Sequence, residues 1–177
     1  MNRLSWIKIH LYLSAFFAPF IILMAITGTS YLMDYKGDEK KDFVKEVSYE
    51  ELKDFSEENV KSVLLKIDPD YSFEYLKSGG NTVSTRPFTR AYYSFEKKND
   101  IVALYKHSPN FLRAMIEIHK GHGPIALKWF QKFLGIGLFL ITLSGMWLGF
   151  SLARDKTATL VLSSMGFVVL AILYLFL

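Results

Sequence analysis

Three long apolar runs break an otherwise mixed chain, and their lengths set the first expectation. The first, Ile9 to Met33, holds no acid and no lysine, and His10 is its one strongly polar member. Read as a helix at 1.5 Å per residue, it reaches about 38 Å, enough to cross a ~30 Å hydrocarbon layer with some tilt. It is longer than the apolar core of a secretory leader and no Ala-x-Ala site follows it, so it reads as a retained anchor. Pro19 removes one backbone donor in mid-helix and predicts a kink. The second run is Phe133 to Phe150, with Trp129 and Trp147 near its ends, where amphipathic rings favour the interface. The third is Thr159 to Leu177.

Between Asp34 and Pro109 the pattern turns soluble. Ser48-Tyr49-Glu50-Glu51 has the form of a capping box and predicts a helix start. Ser56-Glu57-Glu58 predicts another, in which Val60, Val63, Leu64 and Ile67 recur on one face until Asp68-Pro69-Asp70 stops it. The charged residues of 36–66 read as a solvated helix face. Strand-like segments follow at Tyr71 to Lys77, Thr82 to Arg86, Phe88 to Lys97 and Ile101 to His107, parted by Gly, Pro and Asn-Asp punctuation. The fold class expected is therefore a membrane α-helical protein. Three transmembrane helices carry a small α+β domain inserted between the first and second. Its parts are a leader and first span over 1–33, the α+β domain over 34–109 and an interfacial helix over 110–124. The second span over 125–152, a short loop over 153–158 and the third span over 159–177 complete it.

Composition agrees with the spans: 51% of the 177 residues are hydrophobic and 16% aromatic. There is no cysteine, which excludes disulfides, thiolate metal sites, iron–sulfur clusters and thiol nucleophiles. The net charge of +4 comes from short basic clusters flanking the apolar runs, which argues against nucleic acid as a partner. Arg3 and Lys8 precede the first span, and Arg154 and Lys156 lie between the second and third. The positive-inside bias puts both clusters in the cytoplasm, leaving 34–124 and the C-terminus outside.

Chemistry gathers at the histidines. Ser108-Pro109 predicts a helix start, after which Leu112, Met115, Ile116 and His119 fall on one apolar stripe. Ile118-His119-Lys120-Gly121-His122-Gly123 combines neutral nitrogen ligands with glycines that let a bulky group approach the backbone. The alternative is a helix ending at Gly121 whose histidines only hydrogen-bond water or headgroups. His119 and His122 are three apart, so on one helix they point to the same side and could share a small metal ion such as zinc or copper. They cannot be the two axial ligands of one haem, because those approach the iron from opposite faces. His10, inside the first span, is a functional candidate by its depth, or else an interfacial residue capping a helix end. Under the topology above it lies roughly 30 Å from His119, so a single cofactor cannot join them within one chain. Pairing across a homodimer or with a partner membrane protein is the remaining route. Thr27-Gly28 and Ser144-Gly145 follow aliphatic runs, where small residues let membrane helices pack closely.

These residues together resemble the PepSY-associated transmembrane proteins of bacteria. In that pattern a histidine opens the first span, a Thr/Ser-Gly pair closes it, and a PepSY-like domain follows. A Leu-His-x-Gly motif then precedes a span that carries Ser-Gly and an aromatic. The counterparts here are His10, Thr27-Gly28, Ile118-His119-Lys120-Gly121 and Ser144-Gly145-Met146-Trp147. Leu11-Tyr12 stand where the family's usual pair is Arg-Trp, and with three spans this is a short member. The resemblance implies an inner-membrane protein. It also implies a haem-containing transmembrane reductase of ferric siderophores, or a subunit of one, with haem b held by His10 and His119 and with His122 as a further candidate ligand. Two other functions stay open: a binding or regulatory module whose outer domain engages a partner protein, and an accessory metal-binding protein using His119 and His122.

Overall fold

The computed structural model describes residues 3–48, 54–98 and 101–176. Helix α1 spans Arg3–Leu32 and runs on through Pro19. Then come strand β1 (Glu39–Ser48), helix α2 (Glu57–Leu65), and strands β2 (Tyr75–Gly79), β3 (Thr82–Arg86), β4 (Tyr92–Lys98) and β5 (Ile101–Pro109). Helices α3 (Phe111–His119), α4 (Ile125–Ser151) and α5 (Lys156–Leu175) complete the order. Three of the helices, α1, α4 and α5, are long and apolar enough to cross a membrane. Their apolar side chains largely face outward, as helices surrounded by hydrocarbon require. The chain divides into two compact units, one running from Leu23 to Gln131 and the other built from the start of α1, the rest of α4 and α5.

In the first of these units an antiparallel sheet has the order β1-β5-β4-β3-β2. Strands β2 to β5 form a meander, and β1 returns to pair with β5 from Glu39↔Pro109 to Ser48↔Ile101. Side chains alternate between the faces of a strand, and here the two faces differ in chemistry. One carries Val83, Tyr93, Phe95, Val102 and Leu104, which close with Val60, Val63 and Leu64 of α2 into the apolar core. The Ser56 hydroxyl caps α2 by accepting from the Asn59 amide. The other face carries Arg86, Tyr92, Ser94 and His107, all buried.

Two expectations fail here, each for a local reason. The charged stretch of 36–66 is a solvated helix face only in α2, at Glu57, Glu58 and Lys61; residues 39–48 form edge strand β1, where Lys40, Lys41 and Glu46 are exposed while Val47 enters the core. The helix start expected at Ser48-Tyr49-Glu50-Glu51 falls, after Ser48 at the end of that strand, outside the described residues. Ser108-Pro109 does not open a helix. β5 continues through it because Glu39 pairs with Pro109, and Asn110 caps α3 by accepting from the Arg113 amide at 2.9 Å. Gly37 holds the turn into β1 at φ +69°, where a Cβ would run into the Arg113 backbone.

The second unit is helical. The Phe17 ring is buried against α4 at Gly137, where a Cβ would overlap it, and lies 5.3 Å from Phe133 by ring centroid. The turn between α4 and α5 is equally tight, since a Cβ on Gly149 would strike Thr159.

Candidate functional site

Thr27-Gly28 and Ser144-Gly145 turn out to be seats for two histidines. His119 ends α3, and its Nδ1 lies 3.1 Å from Thr27 Oγ1. Thr27 is buried in α1 and donates its hydroxyl proton to the Leu23 carbonyl at 2.8 Å. A hydroxyl has only one proton to give, so toward the imidazole Thr27 accepts. His119 therefore carries its proton on Nδ1 and keeps a lone pair on Nε2. Gly28 makes room for the ring, because a Cβ there would stand 3.0 Å from His119 Cε1.

The helical unit repeats the arrangement. His10 Nδ1 lies 2.9 Å from Ser144 Oγ, and Ser144 donates to the Ile141 carbonyl at 3.0 Å. The same count puts the proton of His10 on Nδ1 and the lone pair on Nε2. Gly145 faces the ring, with a Cβ placed 3.2 Å from His10 Cε1. Beside this seat an open groove of about 450 Å³ is lined by Trp6, Leu140, Leu143, Ser144 and Trp147. The two tryptophan rings are 6.3 Å apart by centroid.

His122 lies beyond the end of α3. Gly121 takes φ +75° and turns the chain, so the helical spacing rule that would align His122 with His119 does not apply. The two imidazoles go to different partners: His122 Nδ1 is 2.6 Å from Glu117 Oε2. Burial would raise the Glu117 carboxyl, but hydrogen bonds from Lys120 and His122 and the charges of Lys120 and Arg113 outweigh it and lower its pKa. Burial depresses His122, and the charge of Arg86 adds to that against the pull of Glu117. A neutral imidazole beside an ionised carboxylate donates from Nδ1, which again leaves Nε2 as the lone pair. Among the described residues, Nε2 of His10, His119 and His122 has no hydrogen-bond partner.

His107 differs. Its Nδ1 is 2.8 Å from Glu39 and its Nε2 is 2.8 Å from Ser94. Its ring stacks on Tyr92 at 4.5 Å, and with both nitrogens engaged it is a structural residue. Tyr92 donates to Glu39 at 3.0 Å, and burial followed by the Glu39 charge pushes its hydroxyl pKa up. No group of three or more His, Asp or Glu with metal-ligand geometry occurs among the described residues.

Residues 45–177 match the family described as PepSY_TM-like, and the chain belongs to it. That family is one of PepSY-associated membrane proteins. The match includes His119, His122 and Ser144-Gly145 and begins after His10 and Thr27-Gly28. No curated protein and no solved structure matches the chain.

Proposed function

We propose that this protein is an electron-transfer component of the bacterial inner membrane. In this reading it binds b-type haem through Nε2 of His10 and His119 and serves the reduction of ferric iron outside the cell membrane, with a ferric siderophore as acceptor. The observation that carries it is the repeated seat: two imidazoles, each held at Nδ1 by a Ser or Thr hydroxyl so that Nε2 is free for a metal, each given space by a glycine. Orienting the distal face of a ligand imidazole through its second nitrogen is what protein groups around a metal do. Bound haem would supply a one-electron carrier. The residues fit it: an exposed His119, a wide apolar groove flanked by tryptophans beside the His10 seat, and in His122 a third imidazole held neutral.

Each seat offers one imidazole, whereas the axial ligands of a six-coordinate haem lie on opposite faces of the ring. The second ligand therefore comes from a second copy of the chain or from a partner membrane protein. Short basic segments at Arg3 and Lys8 and at Arg154 and Lys156 support a cytoplasmic N-terminus, with the sheet and the C-terminus outside. The test is a reduced-minus-oxidised absorption spectrum of protein purified in detergent from haem-replete cells. A haem spectrum in the wild type that weakens in His10→Ala and in His119→Ala is expected. Absence of a Soret band would overturn the reading and leave the sheet domain as a partner-binding module.

A further inference from the structure

The polar face of the sheet continues into a closed ring of contacts with one member left out. Arg86 Cζ sits 3.4 Å from the Phe88 centroid, Phe88 stacks on Tyr92 at 4.1 Å, and Tyr92 stacks on His107. His107 bonds Glu39, and Arg113 stands between Glu39 at 3.7 Å and Glu117 at 3.5 Å. Glu117 bonds His122, whose ring meets the edge of Phe88 at 5.8 Å. The Phe88 amide also donates to the His122 carbonyl at 3.1 Å, which ties His122 to the strand end that carries Arg86.

Charges around this ring do not balance. Arg86, Arg113 and Lys120 face Glu39 and Glu117, and both carboxylates are committed to other partners. Arg86 is only 6% exposed, and its Nε and Nη1 have no acceptor among the described residues. A buried guanidinium that has the Phe88 ring face against it but no acceptor for Nε and Nη1 is costly, and a hydrophobic residue would fill the same space at no such cost. Its retention points to an anion from outside the chain.

We infer that Arg86 binds a carboxylate, namely a propionate arm of the porphyrin that the proposed function places at His119, three residues before His122 in the chain. Guanidinium is the side chain best suited to a carboxylate in a desolvated setting. His122, with its side chain 35% exposed, is the ring member beside which the carboxylate would enter.

The inference rests on the haem reading, and the test separates the two. Ferric protoporphyrin IX and its dimethyl ester are titrated into the full-length protein in detergent, comparing wild type, Arg86→Gln and Arg86→Lys. The wild type should favour the diacid by roughly tenfold to a hundredfold, the range for a hydrogen bond to a charged group. Arg86→Gln should bring the two affinities together, and Arg86→Lys should restore part of the preference. Equal binding of both porphyrins by the wild type overturns the inference and leaves the haem reading standing. Failure to bind either porphyrin overturns both. Equal loss of both in Arg86→Gln assigns Arg86 a packing role and also overturns it. Phosphatidylglycerol retained through purification by the wild type, but not by Arg86→Gln, with no diacid preference, makes it a headgroup site instead. If Arg86→Gln does not fold, the wild-type comparison of the two porphyrins still decides.

Discussion

Thr27→Val removes one oxygen from the His119 seat and little else. Both side chains are β-branched and close in helix propensity, so α1 itself should tolerate the change. What is lost is the 3.1 Å contact to His119 Nδ1 and the bond to the Leu23 carbonyl. A net hydrogen bond is worth about 1 kcal/mol, and His119 is exposed, so its freed Nδ1–H can turn to water or headgroups. Stability should therefore fall by no more than about 1 kcal/mol. Ligation should suffer more, because the ring loses both its orientation and its fixed tautomer. Removing such a supporting group typically costs tenfold to a hundredfold in metal affinity. The assay is a haem titration in a His10→Ala background, so that only the His119 seat is measured, with thermal melts run in parallel. Thr27→Ser keeps the hydroxyl and should recover most of the affinity. An unchanged haem affinity in Thr27→Val, with an unchanged melt, would refute the argument that Thr27 prepares His119.

Four further outcomes are expected. Gly28→Ala should leave the melt nearly unchanged, because about 1 kcal/mol of helix propensity is gained while the imidazole is pushed from its 3.0 Å approach; haem affinity at that seat should drop in titration. Gly37→Ala should destabilise the sheet unit by more than 1 kcal/mol in denaturant unfolding, since φ +69° and the Arg113 backbone both oppose a Cβ. Glu117→Gln should cost about 3 kcal/mol by the same measure, the range for breaking a buried charge network, because Glu117 is 1% exposed and holds Lys120 and His122. Acid should weaken the fold in two steps. Burial holds His122 below its usual 6.5, so stability begins to fall as pH drops below 6.5. Glu117 is held below its usual 4.5, so its contribution is present above 4.5 and lost as pH falls through its lowered value. Melting temperatures that rise from pH 7 to pH 5.5 would contradict the first step.

Much of the fold was legible because it depends on local pattern. The three spans follow from apolar length, α2 from its Ser56 cap and the spacing of Val60, Val63 and Leu64, and β3 from its flanking turns. Strand β1 was hidden because it is an edge strand dense in lysine and acid, and only pairing with β5 reveals it. Of the site, the imidazoles and the two hydroxyl-glycine pairs were each visible, the pairs read as packing residues. What joins them lies far apart in sequence: Thr27 meets His119 and His10 meets Ser144. No helical or strand period encodes a contact at that range. Arg86 gave no signal at all, because it closes a strand in a run that reads as an ordinary soluble domain.

The tautomers of His10 and His119 test the account most directly, and they can be read without any ligand. Selective ¹⁵N labelling of histidine in the haem-free protein, at a pH where the rings are neutral, distinguishes the protonated ring nitrogen from the bare one. Both residues should show the proton on Nδ1, held by Ser144 and Thr27, with Nε2 bare. Protons on Nε2 at either residue would mean that the hydroxyls donate to the rings, and the case for a prepared metal ligand would fall.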